Sequence, residues 1–186
     1  MAQSSGPTSY PSSGLVPYDD AWPCRFKLAA TGLIAVLGDD WLVEHVGSTS
    51  VPGLVAKPVI DLAVRVPAGL HVRDVDGALA GAGWVEAGTS VSTHEVRMRL
   101  SGAVRTHIAH FFSADAWDTA HQRLFVDWLR RHPEDARRYA ELKTTVWAEG
   151  RRGRAYTAAK SAFVQDVVDR ARARRGLPPV PVGDKD

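Results

Sequence analysis

Apolar residues first recur at helical spacing: Phe26, Ala30, Leu33, Ile34 and Leu37 fall on one face of a helix. Asp19 or Asp20 is placed to cap it, and Gly38 to stop it. The period then shortens to two. One strand is predicted around Trp41 to Val46 and another from Val59 to Val66. In the second, Ile60, Leu62, Val64 and Val66 alternate with Asp61, Ala63 and Arg65, so a pleated strand buries the first set and turns Asp61 to the opposite face. Asp74 introduces a short helix that Gly81 and Gly83 stop, and Trp84 to Glu86 reads as a short strand. His94, Val96, Met98 and Leu100 alternate with Glu95, Arg97 and Arg99; the Ser101-Gly102 turn then leads back into Val104 to Phe112 as a hairpin. From Ala114 onward the pattern is helical. Trp117, Leu124, Phe125, Trp128 and Leu129 form one stripe, ended by His132-Pro133. Two more helices follow, Glu134 to Glu149 and Thr157 to Arg174. Strands in mostly consecutive order followed by helices give an α+β class, with the helices closing over one side of the sheet.

The stretch with the most chemistry joins the first two strands. Gly47-Ser48-Thr49-Ser50 is a small hydroxyl-bearing turn, Pro52-Gly53 punctuates the loop, and Lys57-Pro58 leads stiffly into the strand carrying Asp61. Such a turn offers backbone N–H groups to a phosphate, and an acid on the adjacent strand can hold a metal ion against it.

His45 to Asp61 reads H-x-G-S-T-S-V-P-G-L-x-x-K-P-x-x-D, which resembles the signature of the GrpB family, a branch of the nucleotidyltransferase superfamily with the polymerase-beta-like fold. The resemblance runs from about Pro17 to Ala173. It implies a mixed sheet flanked by helices with a C-terminal helical segment, a triphosphate on the Gly-Ser turn, and magnesium on acids of the following strands. Gly47, Ser48 and Asp61 are the matching positions. The superfamily's second acid, two residues after the first, is here Ala63, as is general in GrpB-like sequences. A histidine typical of the family corresponds to His110 in His107-Ile108-Ala109-His110, and Y-x-x-L-K and Y-T-x-x-K place Lys143 and Lys160 at positions where the family also has lysine. In the family's F-R-D-x-L pattern the arginine is replaced by Val126.

Each candidate has a plainer alternative. Asp61 is a magnesium ligand or a solvated surface acid. His110 shares a strand face with Ile108 and Phe112, and is a metal ligand, a general base or a satisfied core histidine. Lys143 and Lys160 lie on apolar stripes, so they either converge on phosphate or carry their amines to water. Lys57 has a similar claim from the loop, as do Thr49 and Ser50 from the turn. His45 is expected to orient the loop by hydrogen bonding, and His107 to face away. His94 and His121 have no supporting pattern. Arg97 and Arg105 belong to an exposed strand face or to the pocket mouth, and Arg170 to Arg175 to a solvated helix end.

Composition narrows the setting. The chain has 186 residues, 45% hydrophobic and 24% charged, with net charge +2. Nothing global calls for nucleic acid or membrane. Cys24 is the single cysteine, so no intrachain disulfide forms, and the cytoplasm is the expected compartment. Ser, Pro and Gly dominate residues 1–14, which are expected to form a disordered tail. One nucleotidyltransferase-like domain is expected over 15–176, with a sheet part at 15–112, a helical part at 113–176, and a flexible tail at 177–186. The expected activity is transfer of a nucleotidyl group from a nucleoside triphosphate to a small-molecule acceptor with magnesium. The alternative is a catalytically silent nucleotide- or coenzyme A-related binding or regulatory module, since GrpB-like domains also occur fused to dephospho-coenzyme A kinase. Oligomeric state, base preference and acceptor are not legible.

Overall fold

The computed structural model describes residues 9–87 and 94–182. Helix α1 (Trp22–Leu37) leads into β1 (Leu42–Val46), then β2 (Ile60–Arg65), α2 (Asp76–Gly81), β3 (Val85–Glu86), β4 (Glu95–Ser101) and β5 (Val104–Phe112). Helices α3 (His121–Arg131), α4 (Pro133–Ala148) and α5 (Gly153–Ala173) complete the chain.

The five strands form one mixed sheet in the order β1-β2-β5-β4-β3. Most pairs are antiparallel, but β2 and β5 run parallel, with Asp61 opposite Ile108 and Ala63 opposite His110. The order is therefore not consecutive as the pattern suggested. The nine-residue β5, buried over its second half, takes the centre beside β2, and the hairpin carries β4 and β3 to the far edge. A mixed sheet with helices on both sides is the α+β arrangement expected.

Two cores flank the sheet. Ile60, Leu62 and Val64 pack against Trp22, Leu33 and Leu79 from α1 and α2. Ala63 and Phe112 face α3 to α5, where Leu124, Leu129 and Val167 fill the second core. Burying a large apolar side chain contributes about 1.5–3 kcal/mol, so β2, covered on both faces, anchors both layers. Asp61 emerges on the side of the three C-terminal helices. Those helices are tied together at Asp135, whose buried carboxylate accepts from Trp128 Nε1 at 2.7 Å and from Arg170 at 2.9 Å.

Both ends differ from the tails expected, within the described residues. Ser9 donates to Ala103 and accepts from Arg105, making a parallel bridge to Val104. Gly14 (φ +67°) lies so close to Trp147 that a Cβ would stand 2.3 Å from the indole. At the other end, Val182 N–H donates to Gln165 and Arg172 donates to the Pro178 carbonyl, folding 177–182 back along α5. Few side chains suffice for this because they meet partners already in place. Residues 1–8 and 183–186 lie outside the described residues. The arginines of α5 are likewise not all solvated: Arg172 is buried and Arg170 reaches Asp135. Among the described residues no helix is long and apolar enough to cross a membrane.

Candidate functional site

The bend after β1 is built against Asp61. Val46 pairs with Asp61 across the β1–β2 ladder, so the next residue passes over the aspartate side chain. That residue is Gly47, at φ +70° and ψ −178°, a backbone conformation essentially reserved for glycine. A Cβ there would lie 2.2 Å from Asp61 Oδ2 and 2.7 Å from its Cγ. Ser48–Ser50 then form one 3-10 turn, closed by Ser50 N–H to Gly47 O and Val51 N–H to Ser48 O. The N–H groups of Ser48 and Thr49 have no acceptor within this turn, as at any helix start.

The hydroxyls of the bend divide their work. Tyr139 of α4 reaches the Ser48 side chain with its phenol, whose pKa burial pushes up. Thr49 is buried, donates to the Val59 carbonyl at 3.3 Å and sits 3.1 Å from His45 Nε2. Ser50 donates to the Gly47 carbonyl at 2.7 Å and is not on the cavity wall. The side chains of Thr49 and Ser50 thus brace the bend, and Thr49 also borders the cavity described below. His45 orients the loop as expected: it stacks on Phe26 with ring centroids 4.6 Å apart, and burial pulls its pKa down to about 4, with Asp61 opposing and Arg130 reinforcing. Arg130 of α3, not singled out from the sequence, clamps the bend from behind by donating to the carbonyls of Ser50 (3.1 Å) and His45 (2.9 Å).

His110 stands on β5 beside Ala63, its Nε2 3.7 Å from Asp61 Oδ1. Its Nδ1 is 2.8 Å from Nε2 of His94, whose ring packs on Phe112 at 4.5 Å. His94 was missed. The alternation through Val96 placed it on a face, but only the hairpin register, which sets Val96 opposite His110, brings it to this site. His107 faces the other layer, next to Trp84. Arg97 also lies there, buried and bonded to Asp76 of α2 at 2.7 Å, so it does not flank the pocket mouth.

Three lysines complete the wall. Gly47, Ser48, Asp61, Lys57, Lys143 and Lys160 all border one cavity of about 270 Å3, which His94, His110 and His121 also line. Lys143 is buried; its amine donates to the Val55 carbonyl and sits 4.9 Å over the Tyr139 ring. Burial pulls its pKa down to about 7, with Lys160 adding to the depression and Asp61 opposing it. Lys160 Nζ lies 4.1 Å over Tyr156. Lys57 Nζ lies 4.3 Å from the Tyr10 ring and 4.7 Å from that of Tyr156. The lining thus gathers three amines and one partly exposed carboxylate, a charge set suited to an anion of several charges.

A family model described as GrpB protein matches residues 13–170. The chain belongs to the GrpB family. A UPF0157 protein of Pseudomonas aeruginosa is 37% identical over 175 residues, covering 91% of this chain and 72% of the relative. The crystal structure of conserved protein GrpB from Enterococcus faecalis matches with a TM-score of 0.74 at 28% identity, over 87% of this chain and 99% of that one. Terminal uridylyl transferase 4 from Trypanosoma brucei, solved with bound dUTP, matches with a TM-score of 0.53 at 15% identity, over 90% of this chain and 63% of that one. That likeness shows the fold, which is the nucleotidyltransferase fold.

Proposed function

We propose that this GrpB protein binds a nucleoside triphosphate in the cavity and transfers its nucleotidyl group to a small-molecule acceptor. The carrying observation is the contact between Gly47 and the Asp61 carboxylate on the wall that also bears Lys57, Lys143 and Lys160. Glycine at this position lets the turn backbone lie directly against the Asp61 carboxylate, which any side chain would push away, so the turn N–H groups and the acid can face one ligand. The dUTP in the distant Trypanosoma brucei relative agrees with this reading.

In the proposed reaction an acceptor O–H or N–H group attacks the α-phosphorus, the bond from that phosphorus to the β-phosphate bridging oxygen breaks, and pyrophosphate leaves. The Ser48 and Thr49 N–H groups and the Ser48 hydroxyl hold phosphate oxygens, while Lys57 and Lys160 offset their charge. His110 takes the acceptor's proton at Nε2, the nitrogen facing Asp61. Among the described residues no three His, Cys, Asp or Glu side chains are grouped to hold a metal ion by themselves. Asp61, partly exposed on the cavity wall, is the carboxylate that would hold magnesium beside the phosphates. Once bound, the ion would supply positive charge that offsets the phosphates.

The second reading, a silent binding module, has one observation in its favour. Ala63, where the superfamily carries another acid, is fully buried in the apolar core. The protein incubated with magnesium, the four nucleoside triphosphates and a panel of small alcohols, amines and acids separates the two. Pyrophosphate release abolished by Asp61→Ala supports transfer. Calorimetric nucleotide binding without release supports the module. Absence of both refutes the nucleotide site.

A further inference from the structure

Ser9 to Val16 runs along the rim of the cavity as a strap. Its first residue is bridged to the β4–β5 hairpin by Ser9 N–H to Ala103 O (3.0 Å) and Arg105 N–H to Ser9 O (2.9 Å). Its last is bridged to the loop before β2 by a reciprocal pair of bonds between Val16 and Ala56, at 2.8 and 3.0 Å. Between these ends Gly14 is pressed on Trp147 of α4, at a φ and a distance that exclude a side chain. The strap thus spans from the hairpin to the lysine-bearing loop, and Tyr10 and Leu15 become part of the cavity wall. Residues 9–12 precede the stretch that the family model matches.

Tyr10 carries the strap's chemistry. Its ring lies 4.3 Å from Lys57 Nζ and 5.0 Å from the Arg105 guanidinium. Lys57 is also 4.7 Å from the Tyr156 ring and 5.5 Å from that of Trp147. A lysine on a loop ordinarily samples many rotamers, and holding it costs side-chain entropy. Aromatic faces on several sides attract the ammonium through their quadrupoles and narrow its positions. The rings thus fix the position of the ammonium at the cavity wall.

The geometry points to Tyr10 as a positioning residue of the anion site, which the strap delivers to hold Lys57 over the cavity for the phosphates of the substrate. This rests on the proposed reading of the cavity as a phosphate site and adds to it a residue, Tyr10, that lies outside the stretch the family model matches. The direct effect on a bound polyanion comes from Lys57; Tyr10 acts through it.

Calorimetric titration of the 186-residue protein with inorganic tripolyphosphate tests this. Tyr10→Ala is expected to weaken binding about five-fold, the range of a partly exposed cation–π contact. Tyr10→Phe, which keeps the ring, is expected to restore most of the affinity. Lys57→Ala weakens binding as well, and adding Tyr10→Ala to it has no further effect. Failure of the unaltered protein to bind tripolyphosphate overturns the phosphate reading and this assignment together. Binding that Tyr10→Ala leaves unchanged, that Tyr10→Phe fails to rescue, or that the two alanine variants weaken additively overturns the assignment alone.

Discussion

Replacing Gly47 by alanine perturbs the site at its closest contact. Two costs arise from the structure. The first is backbone: φ +70° with ψ −178° is essentially glycine-only, and holding another residue there costs about 1–3 kcal/mol. The second is steric, because the new Cβ would stand 2.2 Å from Asp61 Oδ2, 2.7 Å from Cγ and 2.8 Å from Cβ. Asp61 sits on a central strand sealed on both sides, so its backbone does not yield, and overpacking of this kind costs about 1–3 kcal/mol. Together the loss is about 4 kcal/mol, which at a urea dependence of about 2 kcal/mol per molar lowers the unfolding midpoint by about 2 M. The steric part depends on the Asp61 side chain and the backbone part does not. Asp61→Gly removes all three clashing atoms, so Gly47→Ala is expected to lose roughly half its cost in that background, a non-additivity diagnostic of direct contact. Urea titrations of the four proteins measure it. An unchanged midpoint for Gly47→Ala, or equal costs in both backgrounds, would refute the contact on which the site is built.

Other outcomes follow from the charges. Lys143 has its pKa pulled from 10.5 to about 7 by burial, so the unfolded chain binds more protons between those values and its contribution to stability rises with pH through that window; Lys143→Met removes this slope in urea midpoints measured from pH 7 to 10. Because bound phosphate favours the charged amine, triphosphate binding near pH 8 takes up a proton, seen as a buffer-dependent heat in calorimetry and lost in Lys143→Met. His45 is depressed from 6.5 to about 4, so the unfolded chain again binds more protons between those values and stability falls as pH drops from about 6.5 towards 4; His45→Asn flattens that acid limb in thermal melts. Asp135→Asn leaves Arg170 and Trp128 without their buried carboxylate and costs about 3 kcal/mol by urea unfolding, with nucleotide affinity unchanged below the midpoint.

How much of this was legible depended on whether a feature is local. Period two from Ile60 to Val66 marked a strand and put Asp61 on the face away from its aliphatic neighbours, because the pleat allows no other outcome. Gly38 ended α1, and Gly102 made the hairpin turn, for reasons of backbone conformation carried by the residues themselves. The motif from His45 to Asp61 named the bend and its acid, and the resemblance to Y-x-x-L-K and Y-T-x-x-K singled out Lys143 and Lys160, for which the helical pattern alone allowed an amine carried to water.

What the order of residues left open was whatever depends on which surfaces meet. Strand pairing is a competition among buried strands, and no local rule sets β5 between β2 and β4. That placement alone brings His110 beside Ala63 and, through hairpin register, His94 onto His110. Thr49 and Ser50 have the chemistry of phosphate ligands, yet their hydroxyls are taken by Val59, His45 and Gly47, partners that exist only once β1 and β2 are docked. The chain by itself decided which residues can be helix, strand, turn, acid and base. Tertiary packing decided which of them share a cavity, since hydrogen bonds and apolar contacts reach only a few ångströms and sequence distance says nothing about them; Tyr10 over Lys57, 47 positions apart in a stretch too polar to look ordered, is the plainest case.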